Sequence, residues 1–178
     1  MRRAPLALQP VESQFSAQVV GNIAFEMHDF SWIANPMTAF EIREFVAGDI
    51  DAALRLWRRT EGVGLSDADR PDRLREFLSR NAGLSCVAVS GDNLIGTILC
   101  GTDGRRGYIH HLAVAAESRR SGVGRSLVEA ALSALDLAGI RKCHAFVFQS
   151  NPFGELFWRR SGWQRRDDLH VYSKMLDT

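Results

Sequence analysis

Three arginines and two glycines fall within seven consecutive residues, Arg119, Arg120, Ser121, Gly122, Val123, Gly124 and Arg125, with Ser126 next. An apolar, strand-like run at 109–115 precedes them and a helix-like run at 126–138 follows. The order is strand, glycine loop, helix start. A helix N-terminus carries unpaired N–H groups and the positive end of the helix dipole, so a loop that brings an anion onto it makes a phosphate site. Gly122 and Gly124 let the main chain close on the bound group, and Arg119, Arg120 and Arg125 add formal positive charge. Spacing excludes two other phosphate loops. A Walker loop needs Gly-Lys-Ser/Thr after four intervening residues, and a dinucleotide loop needs a third glycine where this chain has Leu127. An arginine-rich, solvated turn ahead of a surface helix is the plain alternative.

A second cluster begins at Asn151. Gly154 follows three residues later, Trp158 seven later, and Gly162 and Trp163 eleven and twelve later. Asparagine there caps a helix or bonds the amides of a ligand, Gly154 leaves room for a narrow ligand arm, and Gly162 ends the helix as a left-handed cap. Phe157, Trp158 and Trp163 equally suit plain core packing.

Taken with Arg119-x-x-Gly122-x-Gly124, this spacing resembles the GNAT superfamily of acyl-CoA-dependent N-acyltransferases. The resemblance covers roughly residues 41–176, with most of its specificity in 108–163. It implies an acetyl-CoA cosubstrate, held at its pyrophosphate by Arg119, Arg120, Ser121, Gly122, Val123, Gly124, Arg125 and Ser126 and along its pantetheine arm by Asn151 and Gly154. It also implies that the backbone of Leu112, Ala113 and Val114 pairs with the pantetheine like an added strand, and that the Leu112 N–H polarises the thioester oxygen. The activity so implied is N-acetyl transfer to a primary amine by direct attack in a ternary complex.

That chemistry needs a neutral amine, and therefore a base. Tyr108, His110, Leu112 and Val114 alternate onto one strand face, and His110 stands nine residues before Arg119. Arylalkylamine acetyltransferases of the superfamily carry a base histidine at that spacing. A histidine of ordinary pKa near 6.5 accepts an ammonium proton at neutral pH. A bonded, structural His110 is the alternative; His111 reads as structural and His144 as a weaker candidate base, while Tyr108 suits anchoring a water. In ribosomal-protein alanine acetyltransferases of the superfamily a glutamate serves as base twelve residues before a tyrosine acid, and here those positions hold Phe146 and Trp158. Trp158 offers only an indole N–H near the sulfur. The departure leaves open a binding module without catalysis, and it argues against a protein N-terminus as acceptor. Glu61, Asp67 and Asp69 give the 61–69 loop a means of attracting a cationic amine, or are simply a solvated acidic loop.

Elements that would position these residues can be read from periodicity and breakers. Strands are expected at 41–46, 84–90, 94–101, 108–115, 142–149 and 170–175, and helices from Asp49 through Thr60, at 71–80, at 123–138 and after Asn151. The fold class is therefore α/β: a single domain, residues 37–178, with a mixed sheet of about six or seven strands flanked by about four helices. Residues 1–36 lack a clean period and read as a leader: a start-site artefact with translation from Met37, a loose arm, or a segment packing through Phe25, Phe30 and Trp32 on the domain or on a second copy. The formal net charge of +1 gives no global pull toward nucleic acid or an anionic membrane. Cys86, Cys100 and Cys143 form no CxxC pair and sit in apolar runs, which suits free thiols of a cytoplasmic protein rather than disulfides or metal ligands. The expected partners are a small-molecule or protein amine and, through exposed strands near the C-terminus, a second copy of the chain.

Overall fold

The structure, a computed structural model, describes residues 40–176. The expected leader, residues 1–36, lies outside the described residues. Among those described, seven strands and four helices follow the anticipated order: β1 (Glu41–Glu44), α1 (Ile50–Arg58), α2 (Pro71–Arg80), β2 (Cys86–Ser90), β3 (Asn93–Ile98), β4 (Cys100–Thr102), β5 (Gly107–Ile109), β6 (Ala113–Val114), α3 (Val123–Leu137), β7 (Cys143–Ala145) and α4 (Pro152–Arg160).

Two helices, α2 and α4, have a side-chain reason to start where they do. Pro71 sits in the first turn of α2, where a missing N–H costs nothing, and Asn151 Oδ1 accepts the Gly154 N–H at 2.8 Å to cap α4. Asp49 does not cap α1 as expected. Its carboxylate turns back to accept the Val46 N–H at 3.0 Å and both Arg43 guanidinium nitrogens at 2.7 and 2.8 Å, which closes a 3₁₀ turn at Ala47–Asp49 instead.

The sheet is mixed but not continuous. Strands β1-β2-β3-β6 form one antiparallel ladder, and β4-β5-β7 form a second in which β5 and β7 run parallel. The parallel pair is joined through α3, the crossover that parallel pairing requires. The runs 94–101 and 108–115, expected as single strands, each break between the two ladders, at Leu99 and at residues 110–112. One main-chain bond spans the break, from the His110 N–H to the Leu99 carbonyl at 2.8 Å.

Both faces are covered. Leu127, Ala131 and Leu135 of α3 pack with Ile98, Cys100 and Ile109 on one side, and Trp57, Leu54 and Leu74 of α1 and α2 pack with Val87, Leu99 and Ala113 on the other. The Trp57 indole N–H, fully buried, donates to Thr97 Oγ1 at 2.8 Å, so the largest core side chain leaves no polar atom unpaired. The expected last strand, 170–175, is corrected: this segment has no regular structure, and Val171, Tyr172 and Met175 are exposed. Its alternation gives strand propensity, but a strand is held by a paired neighbour, and no strand among the described residues pairs with it. No helix among the described residues is long and apolar enough to cross a membrane.

Leu127 is fully buried at the centre of the α3 face. Leu127→Ala is expected to cost about 2–5 kcal/mol through lost burial and a residual cavity. Urea unfolding monitored by tryptophan fluorescence measures this, and a loss below about 1 kcal/mol would contradict the packing described.

Candidate active site

The loop between β6 and α3 is shaped by two left-handed residues. Arg120 has φ 63° and Gly122, the N-cap of α3, has φ 92°; Arg120 is the one residue other than glycine with positive φ among the described residues. Left-handed residues in a loop of this kind are the backbone form in which successive N–H groups can converge on an anion. The first helical bond of α3 runs from the Ser126 N–H to the Gly122 carbonyl at 3.0 Å, and the N–H groups of Arg120, Ser121, Gly122, Val123, Gly124 and Arg125 meet no acceptor among the described residues. Such a run of free amides at the positive end of a fifteen-residue helix with no acid in its first turn is a backbone arrangement able to receive an anion. Arg120, Ser121, Gly122 and Arg125 are exposed, whereas Val123 is buried and Gly124 half-buried.

The side chains of the loop divide their work. Arg119 Nε donates to the Val114 carbonyl at 3.3 Å, and Ser121 Oγ donates to the Ser118 carbonyl at 2.6 Å, so both hold the loop's shape. Arg125 is exposed and pairs with Glu129 at 2.7 Å. Arg120 is exposed, and its guanidinium has no ion-pair partner among the described residues. Gly124 brings α3 to the sheet and to α4: a Cβ there would lie 3.4 Å from the Phe157 ring and 3.6 Å from Val114 Cγ2.

At the break in the sheet, the Leu112 N–H donates to the His110 carbonyl at 3.0 Å across a three-residue turn. The expectation that this N–H is free for a ligand oxygen is therefore corrected; it serves one only by sharing or releasing that bond. Ala113 is buried, and Val114 is half-buried at the sheet's margin.

His110 keeps an exposed edge but lays its ring edge-on against Phe77, centroids 5.8 Å apart. Desolvation of the ring, and then the neighbouring His111, lower its pKa below the ordinary histidine value, with Asp69 opposing. It is thus neutral at pH 7, the form a base needs. Beside it a recess of about 200 Å³ is lined by Gly64, Ser66, Ala68, Asp69, Leu74, Phe77, Leu99, His110 and His111.

Sequence reasoning missed the pair that closes this recess. His111 Nε2 lies 2.6 Å from Asp69 Oδ1, while Asp69 Oδ2 accepts the Ser66 N–H at 2.7 Å and its hydroxyl at 3.3 Å. Asp69 is only 8% exposed, so it is not the surface lure expected of it; Glu61 and Asp67 remain exposed. Its capping role was readable in Ser66-x-x-Asp69, but no local signal pairs it with His111, 42 residues away.

A profile of the Acetyltransferase (GNAT) family matches residues 50–163, more than half of the chain and both motif clusters. The chain belongs to this family. Among solved structures it is similar to the PaiA N-acetyltransferase of Thermoplasma acidophilum in complex with coenzyme A, at 19% identity over 72% of this chain and 91% of that one, TM-score 0.65. It is also similar to Ard1 of Thermoplasma volcanium, at 21% identity over 70% of this chain and 82% of that one, TM-score 0.63. The aminoglycoside 6'-N-acetyltransferase AAC(6')-Ig of Acinetobacter haemolyticus is 18% identical over 77% of this chain and 99% of its own, TM-score 0.64.

Two other candidate residues of this GNAT chain, Tyr108 and Trp158, make contacts that differ from expectation. The Tyr108 hydroxyl donates to Asp103 at 3.1 Å, and its ring stacks with Phe146, so it faces the 103–107 turn rather than His110. Trp158 is wedged between Phe157 and Trp163, at centroid distances of 5.3 and 4.6 Å, and packs on the α3 core; its observed work is packing. Asn151 serves as a helix cap, and Gly154 is required beneath it, since a Cβ there would lie 2.7 Å from Asn151 Nδ2. His144 sits beside Tyr108, at 5.9 Å, away from the recess.

Lowering of the His110 pKa on folding means that protonation favours the unfolded chain. Its contribution to stability is full above the unfolded value near 6.5 and is lost as pH falls through the lower folded value. NMR titration of the histidine rings should find His110 titrating below 6.5, and Phe77→Ala should move it upward by restoring solvent. A wild-type midpoint above 6.5 would contradict the desolvation described.

Proposed function

We propose that this GNAT chain is an N-acetyltransferase that moves an acetyl group from acetyl-CoA to a primary amine in a ternary complex, with His110 as the base. The observation that carries the reading is the run of free amides at 120–125, built at the start of α3 and beside the β6 edge. A diphosphate fits it: the main chain offers directed N–H donors, Arg120 offers an unpaired cation, and the helix dipole adds to both. Acetyl-CoA bound there supplies a thioester whose acetyl carbon is transferred to nitrogen, with a thiolate as leaving group.

The chain's own residues prepare the acceptor. Neutral His110, at the break in the sheet, takes the proton from an ammonium in the recess and so frees the nitrogen lone pair. Phe77, Leu74 and Leu99 exclude water around that transfer. No acid is required of Trp158, because a thiol of ordinary pKa near 8.5 leaves readily as thiolate. A binding module without transfer is the rival, and it rests on the apolar Phe146 and Trp158.

Gly124→Glu should weaken acetyl-CoA binding at least tenfold by placing a carboxylate at the amides, and the pair Arg119→Ala with Arg120→Ala should do likewise. Calorimetric affinities unchanged in both variants would dismiss the assigned loop. His110→Ala should lower acetylation most below pH 8, where amines are chiefly protonated, and should remove the acid limb of the pH profile. An acid limb that persists unaltered would exclude it as base, and amine-panel assays with no transfer but intact acetyl-CoA binding would favour the rival.

A further inference from the structure

The recess beside His110 also carries information about what it accepts, and this rests on the transferase reading above. We infer that its acceptors are compact, mainly apolar primary amines bearing a single positive charge.

Size is the first argument. About 200 Å³ lies below the roughly 300–1,000 Å³ of sites for drug-sized ligands. At about 30 Å³ per water it holds roughly seven waters, so a molecule of several linked sugar rings would have to extend beyond it into the neighbouring basin. The lining is the second. Leu74, Phe77, Leu99, Ala68 and Gly64 present carbon to the ligand, and burying an apolar group there contributes about 25 cal/mol per Å².

Charge is the third argument and the most discriminating. A polycation needs several carboxylates with free lone pairs. Asp69 is the one acidic residue in the lining, and both its oxygens are engaged, one by His111 and the other by Ser66. Outside, a broader basin lined by Asp67, Arg73, Glu76, Phe77 and Arg80 shares the Phe77 wall, and its Glu76 is held by Arg73 at 3.4 Å and Arg80 at 2.6 Å. That approach is balanced in sign and offers a second ammonium little reward. Asp69 is a positioning residue: it orients the His111 ring and, through Ser66, fixes the 66–69 turn that forms one wall. The rest of the loop is seated by close packing, since a Cβ on Gly64 would lie 2.8 Å from the Phe148 ring.

The test uses the full chain with acetyl-CoA and three acceptors: benzylamine, the polycation tobramycin and an alanine-initiated hexapeptide. Benzylamine should exceed the other two in kcat/KM by at least tenfold, and Ala68→Phe, which fills the recess, should raise its KM at least tenfold while leaving the Kd for coenzyme A unchanged. A preference for tobramycin or the peptide, or an unmoved KM in the filled variant, would overturn the inference. Asp69→Asn should lower kcat more than it raises KM and should shift the His111 ring resonances. If no amine is acetylated, the transferase reading itself has failed, and benzylamine-induced shifts of the His110 and His111 rings then decide the recess: shifts at millimolar amine support it, and their absence refutes it.

Discussion

A β-ladder that gives way at one place governs the whole arrangement. Between Leu99 and residues 110–112 the pairing of two neighbouring strands contracts to a single bond, from the His110 N–H to the Leu99 carbonyl. Below the break β3 and β6 pair antiparallel, and above it β5 turns to pair parallel with β7. A closed sheet would place every amide of this stretch in the ladder. Opening it leaves a margin at β6, swings the His110 ring toward α2, and directs the chain into the loop that precedes α3. The recess residues His110 and His111 stand at this break, and the chain leaves it through β6 into the loop ahead of α3.

The break is affordable because the core on both sides is anchored. Trp57 and Thr97 are joined by a buried hydrogen bond, and the Thr97 hydroxyl also reaches the His111 carbonyl at 3.4 Å. The Trp57 ring in turn lies 4.5 Å from the His111 ring, centroid to centroid, and His111 meets Asp69. A continuous path of contacts thus runs from the centre of α1, through the strand break, to the loop ahead of α2. Each buried polar atom on it has a partner, so the path holds without an unpaired group and makes the recess wall a property of the core rather than of a loose loop.

Legibility in the sequence tracks how local each cause is. Helix α2 could be read to its observed ends, Pro71 and Arg80, because Pro71 and the spacing of Leu74, Phe77 and Leu78 are local facts. The α3 loop was legible for the same reason, since Gly122 and Gly124 are adjacent to the helix they serve. The strand breaks at Leu99 and 110–112 were not, because the run from Tyr108 to Ala115 keeps an alternation compatible with one strand, and only pairing partners on either side reveal the change of ladder. The same holds for the 170–175 segment, whose pattern suits a strand that has no neighbour to pair with. Trp158 shows the opposite limit: its position matched a motif, but its surroundings, Phe157 and Trp163, make it a packing residue. Family membership therefore fixes the frame, while roles of single side chains are settled by their contacts.

One energetic difficulty then has a local answer. An alkylamine of lysine-like pKa near 10.4 does not readily give a proton to a histidine at or below 6.5; the gap of about four units is uphill by roughly 5 kcal/mol. Lowering the pKa of His110 by burial widens that gap if the amine stays in water. In the proposed reaction an ammonium entering the recess would lose hydration to Phe77, Leu74 and Leu99, and desolvation lowers an amine's pKa just as it lowers an imidazole's. The two shifts have the same sign and offset each other. A charged group other than the paired Asp69 would undo this by stabilising the ammonium, so on the proposed reading the apolar part of the lining, Leu74, Phe77 and Leu99, would assist the chemistry as well as select the substrate. If His110 is the base, as proposed, the neutral imidazole and the apolar wall act as one device, because the same side chains would dry both the base and its partner.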